Sequence, residues 1–413
     1  MATAAAPGVG GTPSAREKDN GLGAYAKRWW TDVKSGDLGS LPIVLGLVVI
    51  AIVFQSQNSR FLTAGNIENL IVQASPYAVL GMGVVFVLLL GEIDLSIGYV
   101  SAVGSVITAL LLAPDGNQFA TPIAIGIAIL AGVAIGVLHG FIIARIGIPS
   151  FVVTLAGLLA WNGAVLLLIG SRGTVTFQSK FVFDLANGFL SDGVGWLVAA
   201  GAIALYAGLQ FNELRVRRGA DLPHDPVSLY LLRTVAVGAV ILVVVAVVNA
   251  DRGVPYVLLI VAGLLLLLTF VSQRTRFGRH IYAVGGNVEA ARRAGINVNR
   301  IRISVFAISS GMAAFGGIIL ASRLNSVDTN TGGGQVLLYS IAAAVIGGTS
   351  LFGGRGDIKS AVLGALVIYS IDNGLGLLSL GSGQKFVITG LVLLLAAGVD
   401  AISRRGRAQS GRA

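Results

Sequence analysis

Twelve apolar runs of 15 to 24 residues follow one another along the chain, each closed by a polar break. They lie at about 41–57, 69–90, 98–113, 121–144, 150–170, 194–211, 231–249, 254–271, 303–321, 336–350, 360–380 and 385–402. A bilayer core about 30 Å thick takes roughly 20 helical residues. The pattern predicts an all-α, polytopic transmembrane bundle of about 10–12 spans. The range reflects the two shortest runs, 98–113 and 336–350, which read either as spans or as broken, re-entrant segments. The first run has no small-residue cleavage site behind it and reads as an uncleaved span. Residues 1–40 are rich in Ala, Gly, Pro and Ser, then mixed in charge, and predict a disordered cytoplasmic tail. Lys27, Arg28, Trp29 and Trp30 at its end have the composition of an interfacial anchor. The transmembrane domain then covers 41–403, and 404–413 is a basic C-terminal tail.

Composition agrees. Of 413 residues 55% are hydrophobic and 12% charged, about half the charged share of a soluble domain. The net charge of +10 would suit a nucleic-acid partner, but its placement argues against one. Threading the runs alternately with the N-terminus inside puts 23 Lys and Arg on inside segments and six on outside segments. The positive-inside rule selects N-in, C-in and accounts for the charge with the lipid bilayer alone. There is no cysteine, and His139, His224 and His280 share no ligand spacing, so no metal site and no cofactor is expected.

The largest concentration of inside charge is the stretch 272–302, with seven arginines and a single acid. Within it lies a short helix with local start and stop signals. Asn287 is placed to cap its start and Gly295 to take the left-handed position past its end. Glu289 falls in the first turn and Arg292 and Arg293 in the last, matching the helix dipole. Ala290, Ala291 and Ala294 form a small, smooth surface. A helix so short is unstable alone in water and needs a surface to dock on.

The wording of this helix, Asn287-x-Glu-Ala-Ala-Arg-x-Ala-Gly-Ile-Asn297, resembles the cytoplasmic coupling loop in permease subunits of bacterial ABC importers for monosaccharides, the ribose, galactose and xylose group. Three further strings extend the resemblance in order over about 42–403. Gly91-Glu-Ile-Asp-Leu-Ser-Ile-Gly98 is similar to a G-x-I-D-L-S-x-G segment of the family, with Glu92 in place of the glycine of many members. Ala342–Gly356 is similar to A-x-V-I-G-G-T-S-L-x-G-G-x-G. Asp372-Asn373 recurs in the xylose-type members, which also share Glu92 and an inter-half insertion like the polar segment 212–233. The resemblance implies a helical fold of the vitamin B12 permease type in the bacterial inner membrane. It implies no catalytic centre on this chain. The implied partners are an ATP-binding subunit or fused tandem ATPase at the coupling residues Asn287, Glu289, Ala290, Ala291, Arg292 and Gly295, an extracytoplasmic sugar-binding protein, and a second permease copy in a homodimer. D-xylose or a related monosaccharide is the implied substrate.

Charges at membrane depth mark candidate sites, because each costs about 2.5–3.5 kcal/mol to insert. Glu92 and Asp94 interrupt an otherwise apolar stretch. That break reads either as irregular backbone lining a cavity, tolerated at depth only there, or as a short cytoplasmic turn. Asp372 and Asn373 offer donors and acceptors for sugar hydroxyls or a hydrogen bond between helices. Asn69, Gln73, Trp161 and Asn162 complete the candidate translocation path. A proton-coupled secondary sugar transporter would use Asp372, Glu92 or Asp94 as a relay. Gly353–Ser360 looks like a phosphate-binding loop, but Ile358 stands where that loop needs glycine and no strand precedes it. ATP hydrolysis is therefore expected on a partner chain. A short echo between 151–154 and 386–389 hints at duplicated halves.

Overall fold

The computed structural model describes residues 41–114, 119–177, 179–220, 222 and 224–409, those beyond 395 in the last helix by backbone alone. The expected tail at 1–40 with its Lys27–Trp30 anchor, and residues 410–413, lie outside the described residues. Each of the 12 apolar runs forms a helix. Among the described residues eight helices are long and apolar enough to span a membrane, and four shorter apolar ones accompany them.

In chain order the helices are α1 (Leu41–Gln57), α2 (Ala64–Leu89), α3 (Ile97–Leu112), α4 (Thr121–Phe141, continued by a widened turn over Ile142–Ile146), α5 (Ser150–Ile169), α6 (Lys180–Asn187), α7 (Asp192–Gly219), α8 (Val227–Asn249), α9 (Tyr256–Arg274), α10 (Arg276–Gly286), α11 (Val288–Arg293), α12 (Val298–Leu324), α13 (Gly334–Ile346), α14 (Ile358–Leu377) and α15 (Ser382–Gln409). The only named strands among the described residues are β1 (Thr174–Thr176) and β2 (Ser326–Asp328). They pair antiparallel, with Val175 opposite Val327.

The chain divides into two compact units. The smaller holds 196–244, where α7 and α8 carry the polar segment 212–233. Most of that segment extends the two helices, with Glu213–Arg217 at 3.0 Å and Asp225–Arg233 at 3.1 Å as ion pairs.

The larger unit is built around α12, which packs on α2, α3, α4 and α6. Its approach to α3 and α4 depends on missing side chains. A Cβ on Gly136 of α4 would collide with the Phe306 carbonyl, and one on Gly317 of α12 with that of Ser101. Small residues let backbones meet where lipid supplies no hydrophobic drive between helices. From Ala74 to Leu89 α2 is apolar on nearly every side and accordingly buried.

The loops of this unit fall into two groups. In one, Gly354 N–H donates to the Leu89 carbonyl at 2.8 Å, Tyr282 to the Gly356 carbonyl at 2.8 Å, and Ile93 N–H to Ser150 at 3.3 Å. In the other, β1 meets β2, Asn187 donates to the Ser322 carbonyl at 2.8 Å, Thr121 meets Ser179 at 2.9 Å, and Arg252 pairs with Glu68 at 2.6 Å. The short helices α3 and α13 each run from one group to the other. The break at 91–96 is a turn within the first group, beside the loop 272–302.

Candidate coupling loop and polar clusters

Thr275 opens the basic loop by capping α10, its hydroxyl accepting from Gly278 N–H at 3.1 Å. Phe277, Ile281 and Val284 then fall on one helical face and pack into the core. This helix escapes a reading centred on the alanines. Its signal is present nonetheless, as a Thr cap followed by apolar residues at spacings of four and three.

α11 follows. Asn287 Oδ1 accepts from Ala290 N–H at 2.9 Å, and Glu289 closes on Arg292 at 2.6 Å. Gly295 has φ of 82°. Its N–H donates to the Arg292 carbonyl at 3.0 Å, and that of Ile296 to Ala291 at 3.1 Å. Those two bonds form a Schellman cap. The start and stop expected from sequence are therefore present. The expected alanine surface is divided: Ala291 is buried between half-buried Val288 and Ile296, while Ala290 and Ala294 face outward with Glu289, Arg292 and Arg293.

Three ties bind this loop to the bundle. Arg302 at the foot of α12 pairs with Glu92 at 3.0 Å. Gln273 donates to Asp357 at 3.1 Å. Tyr282 donates to Gly356; burial, with the Asp357 charge adding to it, pushes its hydroxyl above the usual phenol value, so it stays a donor. Gly285 meets the Leu89 carbonyl, where a Cβ would collide.

The remaining polar candidates separate into clusters. Asp94 is buried and accepts from Ser96 N–H at 2.9 Å and Ser96 Oγ at 2.6 Å. Ser96 Oγ lies 3.4 Å from His139 Nδ1, and Trp161 donates to His139 Nε2 at 3.1 Å. Since Nε2 accepts, Nδ1 carries the proton and faces Ser96. Sequence spacing had dismissed His139, yet an ionisable residue inside an apolar run is itself a signal. At the other group of loops, Glu68 is fully buried against Arg252, which also donates to Asn69 at 2.7 Å and stands 4.7 Å over the Phe189 ring. Asn373 pairs reciprocally with Asn66 at 2.9 and 3.0 Å.

Asp372 belongs to a further cluster. Tyr77, Tyr339 and Tyr369 pack together with ring centroids 4.6 to 5.9 Å apart, and Asp372 and Thr389 lie beside Tyr339. Gln73 and Asn162 are half-buried and make no side-chain hydrogen bond among the described residues. Those residues include no group of three metal-ligating side chains.

The family described as branched-chain amino acid transport system permease component matches residues 66–397. The chain is 35% identical to the xylose transport system permease protein XylH of Escherichia coli (strain K12), over 91% of this chain and 95% of that protein. It is 34% identical to XylH of Haemophilus influenzae, over 89% and 98%. It is 30% identical to the ribose import permease protein RbsC of Escherichia coli (strain K12), over 91% and 95%. No solved structure matches it.

Proposed function

The chain belongs to the family of branched-chain amino acid transport system permease components, and from that premise we propose that it is the multi-pass inner-membrane permease of an ATP-driven monosaccharide importer, with D-xylose or a close relative as cargo. The names of the xylose and ribose permeases it is similar to support the sugar. The observation that carries the coupling role is α11, a short helix capped at both ends, its outer surface carrying Glu289, Ala290 and Arg292.

In this reading a separate or fused ATPase docks on Asn287, Glu289, Ala290, Arg292 and Gly295, with Ala291 seating the helix from within. A sugar-binding protein delivers cargo to the opposite face, and two permease copies form the assembly. Closure of the ATPase domains displaces α11. The Schellman cap and the ties from Tyr282, Gln273 and Arg302 make the loop a stiff lever, so the displacement reaches α9, α12 and α14. The N-in, C-in threading gathers the most basic loop and the turn at 91–96 on the ATPase side. The grouping of the loops supports it.

A proton relay would need its acids in a connected chain. Glu92, Asp94 and Asp372 instead sit in separate clusters, with Glu92 ion-paired to Arg302. The test is to replace Glu289 by Lys and Gly295 by Ala, then measure co-purification with the partner ATPase and sugar uptake. Loss of both at normal membrane levels is expected. Retained uptake that collapses with an uncoupler at constant ATP would overturn the reading.

A further inference from the structure

A cavity of about 640 Å³ opens among the loops around β2, between the end of α12 and the start of α13. Its wall carries Arg323, Asp328, Asn330 and Gln335, with Tyr77 and Phe386 as its aromatic rings. The volume exceeds that of a pentose or hexose, and the lining has the chemistry of a carbohydrate site. Planar carboxylate, amide and guanidinium groups bond pairs of neighbouring hydroxyls, while an aromatic ring covers the C–H face of the sugar.

Two features make the cavity more than a surface hollow. Arg323 and Asp328 both face it, yet neither has an ion-pair partner among the described residues. Asp328 uses Oδ1 to accept from Asn330 N–H at 2.9 Å and Thr331 at 3.1 Å, which holds the carboxylate in place and leaves Oδ2 open. The second feature lies behind Tyr77. Tyr339, 5.9 Å from it ring to ring, has a buried hydroxyl with no hydrogen-bond partner, and Thr389 beside it likewise. Buried hydroxyls are rarely left unsatisfied. Tyr339 stands within interaction distance of Thr389 and of Asp372, and together they form an inner polar cluster behind Tyr77. Phe386 at the cavity and Thr389 are three residues apart on α15, so they share a face.

We propose that the cavity bounded by Arg323, Asp328 and Phe386 is a low-affinity monosaccharide site on the delivery side of the permease, and that Tyr77 separates it from an inner polar station at Tyr339, Thr389 and Asp372. Cargo released by a binding protein is held here by hydroxyl contacts before it moves inward. Low affinity suits this position, because tight binding would slow passage. This rests on the sugar-importer reading above.

The experiment reconstitutes the complete importer in proteoliposomes with its ATPase and binding protein. Uptake of radiolabelled D-xylose and D-ribose is followed together with ATP hydrolysis. Arg323→Ala, Asp328→Asn and Phe386→Ala are each expected to lower uptake about ten-fold, as loss of a charged or stacking contact does. Hydrolysis stimulated by the binding protein is expected to stay within about two-fold of wild type. Arg323→Lys is expected to restore part of the uptake. Uptake unchanged in all three variants would overturn the site. So would uptake and stimulated hydrolysis falling in parallel, which would mark a docking surface for the binding protein instead. A wild-type assembly that takes up neither sugar while hydrolysing ATP would count against the importer reading itself. For folding, each variant is compared with wild type by gel filtration and thermal unfolding. If the replacements fail to fold, saturation-transfer NMR of wild-type permease with D-xylose decides: no transfer at tens of millimolar sugar overturns the site.

Discussion

Arg302 reaches Glu92 at 3.0 Å, both side chains mostly buried. The pair joins the end of the basic loop to the turn between α2 and α3, elements some 200 residues apart in sequence. It ties Glu92 to the basic loop, whereas the sequence grouped it with the candidate translocation path.

Replacing Arg302 by Ala strands a partly buried carboxylate. A loss of about 1–3 kcal/mol is expected, between the exposed and fully buried limits for ion pairs. Thermal unfolding in detergent reads it. In proteoliposomes the number of sugars moved per ATP is expected to fall, with ATP hydrolysis itself retained. A Glu92→Gln, Arg302→Ala double replacement that costs no less than the sum of the singles would show that the two residues do not interact.

Gly295 holds a left-handed conformation. Gly295→Ala is expected to cost about 1 kcal/mol through the Cβ penalty and to loosen the end of α11. Gly295→Asn is expected to be milder, since Asn tolerates that region. Co-purification with the ATPase orders the three as Gly, Asn, Ala. Equal recovery of all three would contradict the claim that the cap matters.

At the other end of α11, Asn287→Ala removes the cap on Ala290 N–H and is expected to cost about 1 kcal/mol, while Asn287→Ser keeps most of it. Hydrogen exchange at the amides of 288–291 gives the local measure. Protection should drop in the Ala variant alone.

Trp161 and Ser96 hold His139 from its two nitrogens. Trp161→Phe removes one neutral hydrogen bond, for about 1 kcal/mol. Ser96→Ala leaves the buried Asp94 carboxylate without its hydroxyl donor and is expected to cost more, about 2–3 kcal/mol. The order of the two unfolding temperatures is the check. A milder loss for Ser96→Ala would mean that Asp94 is neutral or finds another donor.

Close approach of α4 and α12 at Gly136 leaves no room for a side chain. Gly136→Val is expected to cost more than 3 kcal/mol, beyond ordinary overpacking, because the obstacle is backbone. Gel filtration after solubilisation is expected to show aggregate. A monodisperse, active variant would show that the helices separate freely.

Much of this protein was legible locally. The apolar runs match helices because a span must satisfy its own backbone hydrogen bonds within one segment. The caps of α11 were legible because Asn287 and Gly295 act on residues no more than four positions away. α10 was missed although its pattern was equally local. Its apolar face is short and lies among arginines, which masked the period.

The site was less legible. Asn69, Gln73, Glu92, Asp94, Trp161, Asn162, Asp372 and Asn373 read as one path because each is polar in an apolar setting. The structure places Asn69 at the Arg252 clasp, Glu92 against Arg302 of the basic loop, Asp94 and Trp161 around His139, Asp372 beside the tyrosines, and Asn373 against Asn66. The proposed sugar site adds Arg323 and Asp328, which the sequence does not single out.

By itself the sequence determined the number and place of the apolar helices, the bias of charge to one set of loops, and the two ends of α11. These follow from interactions within a few residues or from partition between lipid and water. Only the tertiary structure decided which polar side chains meet, because those meetings depend on how segments far apart in sequence pack, as α12 does on α3 and α4. That packing is set by glycines such as Gly136 and Gly317 lying opposite particular carbonyls, a match between distant segments that no local pattern records.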